Sequence, residues 1–178
     1  HQNGLVFCHD ISDLLKLLGV PSYNPAEWRL FVCSSKRSLK CVLLHNVNEY
    51  GAVLIGHSIV LKEEYYNIKL FFDLLKYQEH NWVICVDLKM VNFLFGQQKG
   101  FTKFRCFICM WNSRAIDKHW IQKECPVHEN LEEGMLNIIN DPIVSGEKII
   151  YPPLHIKLGI MKQFVKALSN MVNASKIL

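Results

Sequence analysis

The chain has 178 residues, of which 50% are hydrophobic and 20% are charged, and its formal net charge is +4. These values exclude a disordered chain and allow one domain with its own core, or one domain with a small appendage. No apolar run reaches the roughly 18 residues that a membrane span needs, so we expect no membrane partner. The mild positive charge is compatible with nucleic-acid binding but does not by itself indicate it.

The cysteines number seven, an odd count, and no secretion signal is visible. We therefore expect no disulfide framework and a reducing compartment, nuclear or cytoplasmic. The sequence begins with His rather than Met and ends in VNASKIL, so we expect it to be a piece of a longer protein.

The first predicted element is a short helix in HDISDLLKLLGVP, with Asp10 or Ser12 as its N-cap and Gly19 and Pro21 at its end. It belongs to a helical N-terminal segment that we assign to residues 1–27. Three strand-like stretches follow in close succession: WRLFVC, LKCVLLHN and GAVLIGHSIVL. Their short links predict antiparallel pairing, and the second stretch is apolar on both faces, which is typical of a central strand.

An amphipathic helix is predicted after Lys62, in KEEYYNIKLFFDLLKYQEHN. Apolar residues recur along it at helical spacing, and the opposite face carries charges. The apolar stripe consists of Ile68, Phe71, Phe72 and Leu75. The next stretch, WVICVDLKMVNFLFG, predicts a buried strand that runs into Asp87 and is followed by a short helix or a loop.

The chain becomes irregular and basic after Gly96. We assign residues 98–153 to an insertion and interpret NIINDPIVSGEKIIYPP as a long loop. Residues 154–178 form a predicted C-terminal helix that starts after paired prolines. Its apolar face includes Leu158, Met161, Val165 and Leu168.

This order of elements predicts an α/β protein with an RNase H-like mixed sheet in residues 28–97. Three antiparallel strands, a helix and then a strand parallel to the first form the opening of that fold, in which the first and fourth strands are neighbours. The carboxyl ends of those strands carry acids that hold two divalent metals ~4 Å apart for phosphodiester chemistry. Here the fourth strand supplies Asp87, whereas the first supplies Cys33.

Several stretches carry a resemblance to a family: AEWRLFVCSSKRSLKCVLLHN, GHSIVLKEEYYNIKL, VICVDLKMVNFL, GFTKFRCFICMWNSRA and PPLHIKLGIMKQFVKAL. They resemble transposable-element-derived animal proteins whose layout is similar to that of RNase H-like DDE transposases. The family's first strand ends in Asp-Ser-Ser-Lys where this chain has Cys33-Ser34-Ser35-Lys36. The family's Asp-Leu-Lys is kept as Asp87-Leu88-Lys89. The resemblance implies DNA cleavage and strand transfer, with Mg²⁺ or Mn²⁺ as the ancestral cofactor.

Cys33 is interpreted, on this resemblance, as a lost first catalytic aspartate, because a thiol is a poor ligand for Mg²⁺ and Mn²⁺. Two plainer interpretations stay open. In the first, Cys33 is a small buried strand residue. In the second, Asp87 is a turn residue at the end of its strand. In DDE enzymes the third acid comes from a later helix, which we expect beyond Leu178.

The stretch Cys106-Phe107-Ile108-Cys109 has the spacing of a zinc knuckle, with two thiolates on one tight turn. A tetrahedral structural zinc site needs two further ligands. The candidates for these positions are His119, Cys125, His128 and His155. Similar transposase insertions combine a C-x-x-C with histidines, and our predicted set is Cys106, Cys109, His119 and His155. A redox pair and two buried thiols remain alternative interpretations.

Basic and aromatic residues are interleaved around this cysteine pair, a pattern that suits phosphate neutralisation and base stacking. The predicted nucleic-acid contacts are Lys99, Lys103, Arg105 and Arg114. The interleaved aromatic residues are Phe101, Phe104, Phe107, Trp111 and Trp120. A solvated basic face over a small aromatic core is an equally good interpretation.

The sequence thus predicts a degenerate or truncated transposase-like core that is catalytically inactive in this chain. DNA is the expected partner, and a homo-oligomer is left open. The alternative is a zinc-stapled nucleic-acid-binding or protein-interaction module without catalysis. A genomic relic without a selected function is a third interpretation.

Overall fold

The structure of the protein is a computed structural model. It describes residues 4–35, 38–98, 100, 102–119, 121–128 and 132–174, and within the last helix the side chains of residues 155 and 169–174 are not described. The predicted site and motif residues outside the described ones are Lys36, Lys99, Phe101 and Trp120. In the described ranges, no helix has both the length and the apolar character that crossing a membrane requires.

A six-stranded mixed sheet with the order β1-β4-β3-β2-β5-β6 forms the centre of the molecule. Its strands are β1 (Leu5–Phe7), β2 (Trp28–Ser35), β3 (Ser38–His45), β4 (Val53–Ser58), β5 (Val83–Cys85) and β6 (Ile149–Ile150). The pairs β1–β4, β4–β3 and β3–β2 are antiparallel, whereas β5 runs parallel to both β2 and β6. The predicted α/β class and mixed sheet are confirmed.

The α-helices in the described ranges are α1 (Ile11–Leu17), α2 (Tyr65–Leu74), α3 (Tyr77–His80), α4 (Leu88–Leu94) and α5 (Pro153–Ala174). α1 follows Asp10, whose carboxylate accepts a hydrogen bond from the Asp13 amide at 2.9 Å. Asp10 rather than Ser12 is therefore the N-cap. α5 is the predicted C-terminal helix. Its apolar face, with Leu158, Met161, Val165 and Leu168, is exposed in this structure.

β2 has one buried face and one open face. Trp28, Leu30 and Val32 alternate into the core, while Phe31 and Cys33 point to the other side and are exposed. This alternation is what a strand with one covered face requires. The interpretation of Cys33 as a buried strand residue is therefore wrong.

α2 buries the predicted stripe but ends earlier than the pattern suggested. The stripe residues Ile68, Phe71, Phe72 and Leu75 are at most 2% exposed. Lys76 then takes a left-handed conformation with φ 52°, which interrupts the helix before the short α3. The turn brings Tyr77 into the core, where its hydroxyl donates to the Trp82 carbonyl at 2.9 Å.

Two short edge strands were not predicted. β1 pairs with β4, and β6 pairs with β5 inside the stretch that we had interpreted as a loop, so that interpretation is wrong there. β6 has two residues, of which Ile149 is 6% exposed. So short a strand has no detectable period, and its place depends on pairing with β5.

The insertion leaves the core at Gly96. Its φ of 63° lies in the left-handed region, and its carbonyl accepts hydrogen bonds from the amides of Ile139 and Asn140 at 2.9 and 3.2 Å. An added Cβ would lie 1.9 Å from the Asn140 carbonyl oxygen, so the close approach requires glycine. The adjacent residue Gln97 forms an isolated antiparallel bridge with Ile138.

Candidate functional site

The parallel pairing of β2 and β5 brings the two predicted catalytic positions level. Arg29 pairs with Val83 and Phe31 with Cys85. Phe31 and Cys85 form the last pair of this ladder, and Cys33 and Asp87 each lie two residues beyond it. The backbone of Asp87 is still extended, with φ −76° and ψ 165°. Cys33 and Asp87 therefore follow the carboxyl end of the same parallel ladder at equal distances along the chain.

Asp87 also has a structural role. It is half-buried, and its Oδ1 accepts a hydrogen bond from the Met90 amide at 2.7 Å, so Asp87 is the N-cap of α4. A capping carboxylate also interacts favourably with the positive end of a helix. One of its two oxygens is thus committed to the backbone, and the plainer interpretation of Asp87 as a strand-end residue holds alongside any chemical role.

Glu63 joins the two strand ends, and the sequence analysis did not single it out. Its side chain is only 12% exposed. Oε1 accepts a hydrogen bond from the Ser34 hydroxyl at 2.6 Å, and Oε2 forms an ion pair with the Lys89 ammonium group. Ser34 follows Cys33 and Lys89 follows Asp87 by two positions. The motifs at both strand ends therefore meet on one carboxylate.

The sheet-edge site, meaning Cys33, Ser34, Glu63, Asp87 and Lys89, does not fit a pair of hard cations. A two-metal centre requires several carboxylate oxygens, whereas one strand end here offers a thiol. Throughout the described part of the chain, no three His, Cys, Asp or Glu side chains lie close enough together to hold a metal ion. The positive charge at this edge is the ammonium group of Lys89.

The cysteine pair of the insertion is close-set. The Sγ atoms of Cys106 and Cys109 lie 3.4 Å apart, and both residues are partly buried. Burial raises the pKa of the Cys106 thiol. All seven cysteines are free thiols.

A second segment pairs with the cysteine pair. The amide of Met110 donates to the carbonyl of Pro126 at 2.8 Å, and the amide of His128 donates to the carbonyl of Ile108 at 2.9 Å. These bonds flank an isolated antiparallel bridge between Cys109 and Val127. Residues 126–128 therefore run antiparallel alongside residues 108–110.

His128 is buried against this turn, with 6% of its surface exposed. Its Nδ1 lies 3.2 Å from the Cys106 carbonyl oxygen. Because a carbonyl only accepts, Nδ1 carries the proton, and Nε2 has a free lone pair when the ring is neutral. Nε2 is buried and has no hydrogen-bond partner among the described residues.

The two histidines predicted as zinc ligands lie elsewhere or are not described. His119 contacts Trp111, with ring centroids 4.5 Å apart, and its Nε2 lies 2.9 Å from the Asn112 carbonyl oxygen. His155 lies in α5, and its side chain is outside the described residues. The structure therefore brings neither side chain to the cysteine pair in the part that it describes.

A groove of about 170 Å³ gathers part of the basic residues. Lys103, Phe104 and Arg114 line it, together with Asn137. Two hydrogen bonds from Ser113 hold the two walls together, from its amide to the Lys103 carbonyl and from its hydroxyl to the Thr102 carbonyl, both at 2.8 Å. Asn137 is 4% exposed, and both polar atoms of its amide lack a partner among the described residues.

The remaining residues of the predicted nucleic-acid surface differ in their surroundings. Arg105 is exposed, whereas Lys99 lies outside the described residues. Phe107 packs against the core and stacks on Tyr151, with centroids 5.1 Å apart. For Phe107 the aromatic-core interpretation therefore holds.

A third polar group lies near the opposite ends of β2 and β5. The Trp82 indole donates to the Tyr23 hydroxyl at 2.9 Å, and that hydroxyl lies 3.0 Å from His80 Nδ1. The His80 ring stacks on Trp82 at 4.3 Å. Since the Tyr23 oxygen accepts from Trp82, its proton is free to reach Nδ1, which requires a neutral imidazole. Burial lowers the pKa of His80 and raises that of Tyr23 to about 12.

Comparison with known proteins places the chain in a family. A family model described as a domain of unknown function (DUF8703) matches residues 1–144. The chain belongs to this family. A second model, described as a domain of unknown function (DUF8704), matches residues 153–178, and this match begins at the first residue of α5. No curated protein and no solved structure matched the chain.

Proposed function

We propose that the chain is the degenerate core of a transposase-like protein of mobile-element origin, built on an RNase H-like sheet. Its ancestral reaction is metal-dependent DNA cleavage and strand transfer with Mg²⁺ or Mn²⁺. In this chain the core no longer carries out that reaction. One observation carries the proposal: the parallel pairing of β2 and β5, whose last pair, Phe31 with Cys85, lies two residues before both Cys33 and Asp87.

The sheet topology supports the proposal independently of the site. The strands β4, β3 and β2 are antiparallel, and β5 and β6 continue the sheet in parallel with β2. A two-metal phosphodiester site needs its acids on neighbouring strands so that both reach the same pair of metals. Cys33 and Asp87 follow two neighbouring parallel strands, which agrees with this requirement, but the side chain of Cys33 is a thiol and not an acid.

The loss of activity follows from the charges at the sheet edge. The first position is a thiol, which binds Mg²⁺ and Mn²⁺ poorly. The nearby Glu63 is already neutralised by the Lys89 ammonium group. An additional cation at this edge would therefore meet one partly committed carboxylate and a positive charge rather than a set of acids.

The test is to restore the missing carboxylate. The 178-residue chain and its Cys33→Asp and Cys33→Asn variants are titrated with Mn²⁺ and assayed for DNA cleavage. We expect no cleavage by the wild-type chain. Cys33→Asp should bind Mn²⁺ about tenfold more tightly than Cys33→Asn, because only Asp adds a charged oxygen ligand.

Cys33→Asn is the matched control, since it has nearly the same shape as Asp without the charge. Equal Mn²⁺ affinity of the two variants would overturn the assignment of Cys33 as a lost ligand position. Cleavage by the wild-type chain that Asp87→Ala abolishes would overturn the proposed inactivity.

We also propose a second function, DNA binding through the insertion, whose cysteine pair holds a structural zinc. The groove lined by Lys103, Arg114 and Phe104 favours it, because two cations and a ring face one cavity. Cations neutralise phosphates and aromatic faces stack on bases, without a need for catalysis.

Salt dependence of DNA affinity tests this second function. Lys103→Ala/Arg114→Ala should weaken binding and reduce the slope of log affinity against log salt by roughly two, one for each lost phosphate contact. Lys16→Ala/Lys69→Ala removes the same charge from exposed positions on α1 and α2 and is the control. Equal losses in the two double variants would contradict a DNA site in the groove.

A further inference from the structure

We infer that Cys106, Cys109, Cys125 and His128 form one Cys₃His zinc site, with Cys125 and His128 in place of the predicted His119 and His155. The inference deepens the zinc staple proposed above and rests on it. It identifies the ligands that complete the site.

The first argument is the spacing of the ligands. Cys106 and Cys109 form a C-x-x-C, and Cys125-Pro126-Val127-His128 forms a C-x-x-H. Structural zinc sites take their ligands as two such pairs, each on a tight turn, and Cys₃His is one of their common ligand sets. Cys125 and His128 were separate candidates among the predicted ligands, and their spacing joins them as a second pair.

The second argument is the pairing of the backbone. The hydrogen bonds between Met110 and Pro126 and between His128 and Ile108 hold the two segments side by side. The Cys109–Val127 bridge lies within both pairs. The two ligand pairs, separated by 15 residues of sequence, are thereby carried on adjacent segments of backbone.

The third argument is the state of His128. A zinc-bound histidine almost always donates its other ring N–H to a carbonyl, a carboxylate or water. Here Nδ1 donates to the Cys106 carbonyl, and Nε2 is buried without a partner among the described residues. A buried unpaired nitrogen costs free energy, and a metal ion at Nε2 removes that cost.

The sulfur geometry agrees with a shared ion. Two thiolates at about 2.3 Å from one tetrahedral zinc lie about 3.8 Å apart. The Cys106 and Cys109 sulfurs, at 3.4 Å, are close to that separation. In the described ranges, no three His, Cys, Asp or Glu side chains lie close enough together to hold a metal ion. Zinc binding therefore requires the ligand side chains to rotate towards one another.

Zinc binding at this site displaces the protons of the three thiols. One Zn²⁺ binds three thiols and one neutral imidazole, and the three thiol protons pass to solvent. No electron is transferred, so the cysteines stay reduced. The product has three Zn–S bonds and one Zn–N bond.

The experiment measures zinc stoichiometry of the full 178-residue chain by native mass spectrometry, followed by Co²⁺ substitution and absorption spectroscopy. We expect one zinc per chain and a tetrahedral Co²⁺ spectrum of three thiolates. Cys125→Ser and His128→Gln should each weaken zinc binding more than the roughly 10–100-fold cost of losing an outer-shell partner. His119→Gln and Cys85→Ser are the controls and should bind zinc like the wild type.

His128→Cys guards against a variant that merely fails to fold. It should keep one zinc and shift the Co²⁺ spectrum towards four thiolates. Zinc binding that survives both Cys125→Ser and His128→Gln, or that is lost in His119→Gln or His128→Cys, would overturn the ligand assignment. Absence of zinc from the wild-type chain would overturn the zinc staple itself. Zinc content is measured without DNA, so failure of DNA binding is a separate outcome.

Discussion

The sheet-edge site and the cysteine segment, residues 106–128, place their side chains by different means. At the sheet edge, Cys33 is held by its pairing with β3 and Asp87 follows the β2–β5 ladder by two residues, and strand pairing uses backbone groups that every residue type supplies. In the described part of the cysteine segment, turn hydrogen bonds and one isolated bridge hold the backbone, among them the bonds of Met110 and His128. A segment with so little regular pairing depends on its side chains.

This difference predicts that the two sites tolerate amino-acid substitutions differently. A cysteine can replace an acid at position 33 without disturbing β2, because Cys33 is exposed and the ladder does not depend on its side chain. We expect the cysteine segment to be less tolerant of substitution at its cysteines and His128. With the zinc site inferred above, the loss of one ligand there would release the metal that holds the two segments together.

The strongest effect on the sheet edge is expected from Glu63→Ala. It leaves the Ser34 hydroxyl and the Lys89 ammonium group without their shared carboxylate, and should lower the free energy of unfolding by about 2 kcal/mol, the usual contribution of a hydrogen bond to a charged group. Urea denaturation followed by circular dichroism measures it.

Glu64→Ala is the neighbouring control, since Glu64 is exposed and makes no side-chain cap. It should change stability by less than about 0.5 kcal/mol. Equal effects of the two substitutions would show that backbone pairing alone holds the sheet edge.

A smaller effect is expected from Asp87→Ala, which removes the N-cap of α4. The free energy of unfolding should fall by about 1 kcal/mol, the ordinary cost of losing a cap. Asp87→Asn keeps a capping oxygen and should be close to wild type in the same denaturation assay. If Asn is as damaging as Ala, the charge and not the cap stabilises this edge.

The smallest effect is expected from a pH dependence at His80, which lies outside both sites. The pKa of His80 is lowered from 6.5 in the folded state, so below about pH 6.5 the unfolded chain binds more protons. The contribution of His80 to the free energy of unfolding is fully present above pH 6.5, and it is lost as the pH falls through the pKa of His80 in the folded state. His80→Gln should flatten this acid slope in urea denaturation, and an unchanged slope would mean that other groups cause it.

The regular part of the fold could be predicted because its periods are long. The strands β2, β3 and β4 are apolar stretches of six to eight residues joined by short links, and the stripe of α2 is buried as the pattern indicated. The break at Lys76 could not be predicted, since a lysine with positive φ carries no glycine signal. β1 and β6, with three and two residues, are too short for a period.

The candidate site divides in the same way. Asp87 was predicted from the end of a buried strand, which is a local signal. Glu63 was not, because its bond to Ser34 spans 29 residues and the two adjacent glutamates resemble the first turn of a helix. The helix begins only at Tyr65, which leaves Glu63 in the connecting loop.

Gly96 has a consequence for the architecture of the whole chain. The Gly96 carbonyl accepts hydrogen bonds from the amides of Ile139 and Asn140, where the chain returns to the core. The Gln97–Ile138 bridge lies next to these bonds. Residues 98–137 therefore leave and re-enter the core through one narrow neck. Because the cost of closing a loop grows only slowly with its length, such a segment can be lengthened, shortened or exchanged while the sheet stays intact. The core thus fixes where the segment leaves and returns, and the segment itself keeps at least one contact with the core, through Phe107.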